Sequence, residues 1–512
     1  MITRRSLLGA GAGALAVTGL RATTGQAATD RAAHYGGVPW RRLSARLAGR
    51  VVRPGDAAYA TAKDLYDQQF DAISPQAVAY CVNPADVARC LEFAQHHRLP
   101  FAVRSGGHSL GGYSTTDGLV VDVSSLNSVS LDGGLLTVGP GAQGVDVTTA
   151  LAPHGLGVVG GYHPSVGVGG FYTGGGLGLL TRSLGMGCDR ITSARVVLAD
   201  GSLVTASPTR HSDLYWAIRG GGGGNFGVVT SYTMQPAPVS QIAVADLAWN
   251  WQDAAAMLDG YARWLVDAPR TLNGGVFIEL PDAAPGNTPV PSVFMACTTG
   301  DTALLNGEVA RLLSLTGAAP VQRSPAAAVP YQALMMNFYG CGSMSPDRCH
   351  RADTAPGGEL PRPSLYLLRS RLFRSVPGES LWRDVVAVLD RNRAAGQSRA
   401  VELVPFGGAV GDLGRTDTAF VHRDALFSVS YLAGIQSPAA ADAAGRAAAH
   451  AYVDEGFGVL DPHSSGETYQ NFIDAKLTGW AEAYYAENYP RLVRIKRRYD
   501  PHGAFRFAQG IA

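Results

Sequence analysis

Three glycine-dense turns in the first half of the chain limit its fold more than any other feature. They are Arg104-Ser105-Gly106-Gly107-His108-Ser109-Leu110-Gly111-Gly112, then Gly167-Val168-Gly169-Gly170 running on to Gly174-Gly175-Gly176, then Gly220 to Gly224 followed by Asn225-Phe226-Gly227. Without a Cβ, glycine adopts positive φ readily and lets the backbone approach a bulky ligand, its N–H groups forming a nest for phosphate oxygens. A tight loop between strands explains one such cluster. Three in succession predict a cradle for a pyrophosphate-bearing cofactor. None of them opens a helix in a Rossmann βαβ unit, which excludes simple NAD binding.

Composition supports a globular chain large enough to enclose such a cofactor. Of 512 residues, 46% are apolar and 16% charged, which rules out disorder and predicts two or three compact units. The 42 basic and 41 acidic residues nearly cancel, so no field steers nucleic acid or an anionic membrane, and a small molecule is the expected partner. Monomer and homodimer both stay open. Residues 1–28 read as a twin-arginine export signal: Arg4-Arg5, an apolar run from Leu7 to Leu20, and small residues at Gly25-Gln26-Ala27-Ala28. That run is shorter than the roughly 20 residues a membrane helix needs. Export in folded form to an extracellular or periplasmic space is expected, with no membrane association after leader removal. Six cysteines form no CxxC pair, so no metal site is expected; Cys341/Cys349 and Cys81/Cys90 are each open as a local disulfide.

Along the chain, Ala77 to Val82 predicts a strand, and Asn83-Pro84 starts an amphipathic helix with Val87, Cys90, Leu91 and Ala94 on one face. Further strands are predicted at Phe101 to Val103 and Leu119 to Val123, and a hairpin at 195–206 turning through Asp200-Gly201. From about residue 240 the glycines thin out. Helices are predicted at 253–266, with Asp253 as N-cap, and at 380–394; strands at 292–296, 401–404 and 426–431. A last helix begins at Tyr489-Pro490 and ends at Asp500-Pro501, with Leu492, Ile495 and Tyr499 on one face.

These motifs, in this order, resemble the FAD-linked oxidases of the vanillyl-alcohol-oxidase type, in the berberine-bridge-enzyme-like branch. Arg104 to His108 matches the family's R-S-G-G-H, Asn225 to Val229 its third glycine motif, Tyr469-Gln470-Asn471-Phe472 its Y-x-N-Y/F, and Asn488 to Phe505 its closing helix. The resemblance runs from about Ser74 to Ile511. It implies an α+β architecture: a PCMH-type FAD-binding domain of two α+β lobes (29–240, core from about 74), completed by a berberine-bridge-like segment (465–512). Between them lies an inserted substrate domain (241–464) of antiparallel sheet plus helices.

The resemblance also assigns roles. His108 stands where the family's histidine bonds covalently to the flavin 8α-methyl carbon. A second tether is a cysteine in relatives but His163 here, so FAD is expected to be covalent through His108 only. Val166 stands where side-chain size is thought to gate oxygen, and Val resembles the oxidases. The remaining cofactor contacts are expected from Arg104, Ser105, Gly106, Gly107, Ser109 and Gly112, and from Gly167, Gly170, Gly174, Gly175 and Gly176. Gly227, Val229, Tyr469 and Asn471 complete the set.

For proton removal, Phe472 and Phe406 replace tyrosines that some relatives appear to use, and neither ring accepts a proton. The period of two over 401–406 puts Glu402 on the same face as Val404 and Phe406, making Glu402 the candidate base, with Tyr469, Tyr172 and Tyr113 as alternatives. The expected activity is an oxidase taking hydride from a hydroxylated secondary metabolite, a sugar or a cyclic amine, with O2 giving H2O2. A dehydrogenase with another acceptor and a flavin-bearing binding protein without turnover are the alternatives.

Overall fold

The computed structural model describes residues 37–512; the leader lies outside the described residues. The fold is α+β and has three main sheets among those residues, besides a two-stranded ladder of Leu156–Gly157 and Ala237–Pro238. The first lobe is a four-stranded sheet of β1 (Arg50–Val52), β2 (Ala77–Tyr80), β3 (Phe101–Arg104) and β4 (Leu119–Asp122), in the order β1-β2-β4-β3. Strands β2, β3 and β4 run parallel. Helix α1 (Pro84–His96) crosses over between β2 and β3 as the sequence predicts: Asn83 Oδ1 accepts from the Asp86 N–H at 2.9 Å, and Val87, Cys90, Leu91 and Ala94 are buried. Cys81 and Cys90 face each other at 3.8 Å as free thiols, while Cys341 and Cys349 form a disulfide.

The second lobe is antiparallel, made of β5 (Val129–Asp132), β6 (Leu135–Val138), β7 (Ile191–Val197), β8 (Leu203–Ala206) and β9 (Val228–Met234), in the order β5-β6-β9-β7-β8. The predicted hairpin is β7-β8, paired from Val197↔Leu203 to Ala194↔Ala206. The closing helix (Tyr489–Tyr499) buries Leu492, Ile495 and Tyr499 in the same core as Tyr232 and Met234, so the C-terminal segment completes this lobe.

The remainder is one large antiparallel sheet. Its central strands are β10 (Gln241–Ala248), β11 (Leu272–Leu280), β12 (Val290–Cys297), β13 (Leu365–Phe373), β14 (Ser398–Pro405) and β15 (Phe427–Ile435), ordered β10-β12-β11-β14-β15-β13. Helices Ala254–Val266, Thr302–Thr316, Glu379–Asp390 and Ala443–Leu460 cover one face, packing on Val276, Ile278, Val401, Leu403, Val429 and Tyr431. The other face is turned to the two lobes. Two local expectations change. Asp253 makes no side-chain cap, because a short 3-10 turn at Trp251–Asp253 leads into the helix instead. The 380–394 helix stops at Asp390, where Arg391 is extended and Asn392 takes φ +48°.

Candidate active site

The three glycine turns, the sheet face and the C-terminal segment close around a cavity of about 640 Å³. The first turn follows β3, whose alternation decides which side chains enter. Phe101, Val103 and Ser105 line the cavity, while Arg104 points away: its guanidinium pairs with Asp122, its β4 neighbour, and donates to Ala62 O at 2.6 Å. Arg104, expected in the cofactor cradle, thus lies behind the wall. Gly106 and Gly167 meet backbone to backbone. A Cβ on Gly106 would stand 2.3 Å from Gly167 N, and one on Gly167 would stand 2.5 Å from Gly106 N, so only glycine permits these loops to touch. Among the described residues the N–H groups of Gly106, Gly107, His108 and Ser109 find no protein acceptor, nor do those of Gly223 and Gly224. These residues border the cavity, and a run of N–H groups without protein acceptors is a nest suited to anionic oxygens. Both nests suit the pyrophosphate of FAD.

His108 occupies the wall between nest and chamber. Ser165 Oγ sits 2.8 Å from its Nε2 and 3.2 Å from His163 Nδ1, bridging the two imidazoles. Tyr66 stacks on His108 at 4.2 Å and meets His163 edge-on at 4.9 Å. Burial, then neighbouring His163 and Arg351, hold the His108 pKa well below the usual imidazole value. Burial and Arg351 take His163 down to about 4. Both rings are therefore neutral at physiological pH, the form in which an imidazole nitrogen is nucleophilic. Burial pushes the Tyr66 phenol up to about 12, which keeps it protonated.

Ser105, Gly107, Ser109, Val166, Gly170, Val229 and Asn471 all line the cavity, as does Gly227. Gly112, Gly174, Gly175 and Gly176 lie behind its wall. A Cβ on Gly112 would strike the Phe70 ring at 2.6 Å, and one on Gly174 would overlap Asn471 Oδ1. Their glycines serve packing. Tyr469 reaches the cavity edge, but its hydroxyl accepts from Gly176 N at 2.8 Å and Asn471 Nδ2 at 2.9 Å, and burial raises its pKa. That is the environment of a structural post. Tyr172 is buried in the second-lobe core against Tyr232 and does not line the main cavity; burial raises its pKa as well. Tyr113 lines the cavity beside Phe507.

On the sheet wall, Ser398, Ala400, Glu402 and Val404 face inward, following the strand alternation. Phe406 lies past the strand end and turns into the core toward Tyr469. Phe472 lines the cavity. Three neighbours of His108 escaped the sequence reading. Tyr66 comes from a stretch without periodicity, Ser165 from a motif scanned for its cysteine position, and Arg351 from the far domain. Arg351 is 1% exposed, pairs with Asp353 and donates to Gly106 O at 3.3 Å. The adjacent disulfide is the one sequence signal that pointed near it.

Residues 75–207 match the model described as a FAD binding domain, and residues 468–512 the model for berberine and berberine-like proteins. The chain is 30% identical over 476 residues to the uncharacterized FAD-linked oxidoreductase YgaK of Bacillus subtilis, covering 91% of this chain and 97% of that one. It is 28% identical over 486 residues to the (R)-6-hydroxynicotine oxidase of Paenarthrobacter nicotinovorans, covering 91% and 97%. In fold it is similar to Physcomitrella patens BBE-like 1 (TM-score 0.81, 23% identity, 92% of this chain and 98% of that). It is also similar to a chitooligosaccharide oxidase (TM-score 0.78, 23% identity, 92% and 98%). With the cradle and this similarity together, the chain belongs to the FAD-binding PCMH-type oxidoreductases that carry a berberine-like C-terminal segment.

Proposed function

We propose that the protein is an exported flavoprotein oxidase whose FAD is covalently held by His108 alone. Its substrate is a hydroxylated secondary metabolite, a sugar or a cyclic amine. Bound FAD supplies the hydride acceptor and hands the electrons to O2, giving H2O2. The observation that carries the reading is the placement of a neutral His108, oriented by Ser165, between a nest of unbonded N–H groups and a chamber walled by the substrate sheet. With Nε2 engaged by Ser165, Nδ1 is the ring nitrogen left to form the tether. The nests at 106–109 and 223–224 take the pyrophosphate oxygens, and the C-terminal aromatics Phe505 and Phe507 close the same end. Glu402 faces the chamber and is the group placed to take the substrate's proton, since Tyr469 is committed as an acceptor and Tyr172 lies in the core. Val166 lines the cavity, and its small side chain supports O2 as the acceptor.

The test is acid precipitation of purified protein. The yellow colour is expected to stay in the pellet for wild type and to pass into the supernatant for His108→Ala. Colour retained in both would mean a second attachment, and a colourless wild type from flavin-supplied cells would overturn the reading. Peroxide release on addition of substrate separates an oxidase from a dehydrogenase.

A further inference from the structure

We propose that His163 is the positioning residue that selects the tautomer of His108: acting through Ser165, it keeps the ring proton of His108 on Nε2 and leaves Nδ1 bare to meet the flavin. The proposal rests on the reading of His108 as the tether and adds what prepares it. The turn that carries His163 and Ser165 is pinned to the helix Gly144–Leu151. Gly144 N donates to Val166 O and Val145 N to Pro164 O, each at 3.2 Å, and Val166 N closes the turn on His163 O at 3.4 Å. Both side chains therefore face His108 from a fixed frame. Tyr66, stacked on His108 and edge-on to His163, sets the two ring planes.

One backbone proton decides the rest. The N–H of Ser165 donates to His163 Nδ1 at 3.3 Å, so that nitrogen carries a lone pair and the neutral ring holds its proton on Nε2. Ser165 Oγ lies 3.2 Å from the same Nδ1 and 2.8 Å from His108 Nε2. A hydroxyl has one proton to give. Given to His163, it leaves a lone pair of Oγ to accept from an N–H at His108 Nε2. Given to His108, it would set the lone pairs of Oγ and His163 Nδ1 against each other at 3.2 Å around a serine that is 1% exposed, where unmet acceptors are costly. The first arrangement wins, and because the His108 ring is neutral its other nitrogen, Nδ1, is left with a lone pair. Among the described residues no protein group bonds that nitrogen, and nearby Arg351 directs its donors to Asp353 and Gly106 O.

An imidazole reacts through a lone pair, so its tautomer decides which nitrogen can form the tether. Joining Nδ1 to the flavin 8α-methyl carbon breaks one C–H bond of that methyl and frees the Nε2 proton of the ring. The carbon is oxidised by two electrons, and O2, taking those electrons and the two protons, is reduced to H2O2. The Nε2 proton leaves through the hydroxyl of Ser165 toward His163, whose Nδ1 is already set to accept. In the opposite tautomer the proton would occupy the attacking nitrogen itself, and burial at Ser165 hinders its exchange with water.

In the experiment each protein is purified from flavin-limited cells and given excess FAD in air, and the share of bound flavin that survives acid precipitation is followed with time. Taking a share of what is bound keeps weaker FAD binding from imitating slower attachment. His163→Leu, which removes the acceptor, and Ser165→Ala, which removes the bridge, are expected to attach flavin at least about tenfold more slowly than wild type, the scale of one lost hydrogen bond. His163→Asn, whose side-chain oxygen restores an acceptor in place of Nδ1, and Ser165→Thr are expected to stay near the wild-type rate. Wild-type rates in His163→Leu and Ser165→Ala, or a His163→Asn as slow as His163→Leu, would overturn the proposal. Should His163→Leu bind no flavin, Ser165→Ala against Ser165→Thr makes the same decision. A wild type whose colour passes wholly into the supernatant sinks the tether reading instead. Nitrogen NMR of the histidine-labelled protein then decides this proposal by itself, a bare Nδ1 on His108 upholding it and a protonated Nδ1 overturning it.

Discussion

Arg104 and His108 stand in one motif four residues apart, yet they have unrelated work. The pleat of β3 sends Arg104 to the far face, where its charge is dehydrated, paired with Asp122 through Nε and bonded to Ala62 O through Nη2. Removing one partner of a buried pair leaves an uncompensated charge, a cost of about 3–5 kcal/mol. Arg104→Ala is therefore expected to lose stability on that scale in denaturant titration, while any folded fraction keeps the flavin spectrum of the wild type. A spectrum that changed at unchanged stability would instead place Arg104 at the cofactor. The sequence named His108 as a candidate because a histidine in a glycine loop invites attention. Tyr66 and Ser165 reach the same ring, and Arg351 the neighbouring Gly106 O, from three distant places in the chain, and no local spacing encodes such convergence.

Among the elements, the C-terminal segment shows most clearly how the parts are joined. Lys496 is buried and donates to Asn225 O at 2.7 Å, Phe505 O at 2.7 Å and Asp500 Oδ2 at 2.6 Å, stapling the closing helix to the third glycine turn. Just upstream, Glu467 bonds His422 Nδ1 at 2.9 Å and receives Arg374 and Arg415 at 2.6 and 2.7 Å. Burial disfavours its charged form, but His422 and Arg415 overcome this and bring the pKa from 4.5 to about 2. A depressed carboxyl pKa stabilises the fold above the unfolded value and loses that contribution as pH falls. At about 1.4 kcal/mol per unit the stake is on the order of 3 kcal/mol. Melting temperature is expected to fall between pH 4.5 and 2, and Glu467→Gln to flatten that part of the curve. The Cys341–Cys349 disulfide acts on another loop, the one that carries Arg351 to Gly106 O. Closing so short a loop stabilises by about 2–3 kcal/mol. The double variant Cys341→Ser, Cys349→Ser should lose about that much stability in denaturant titration, and wild type with reductant should show the same loss; an unchanged unfolding curve in both would show the cross-link to be energetically idle.

Across the whole molecule, legibility followed how local the determinants were. Helix α1 declared itself through Asn83-Pro84 and a periodic face, and the β7-β8 hairpin through Asp200-Gly201. Strand β11 went unread because Gly274 and Gly275 interrupt its apolar pattern, although it supplies Glu279 and Phe277 to the chamber. The helix at Thr302–Thr316 had a readable signal that passed unused: Asp301 caps its start, and Gly317 closes its end at φ +63°. The cradle was legible as three glycine clusters, but which glycines face a ligand and which merely allow close packing depends on neighbours such as Phe70 and Asn471, far away in sequence.

The same stapling has a consequence in time. Cavity residues run from Tyr66 to Gln509, and the N–H of Ile511 donates to Asn225 Oδ1 at 3.0 Å. A ribosome still holding residues 489–511 in its tunnel has made every glycine turn and no closed cradle. Those residues must leave the tunnel before the cradle can close. The pocket is thus among the last features of the described fold to form, and a copy terminated before the closing helix has the glycine turns without the wall that completes them.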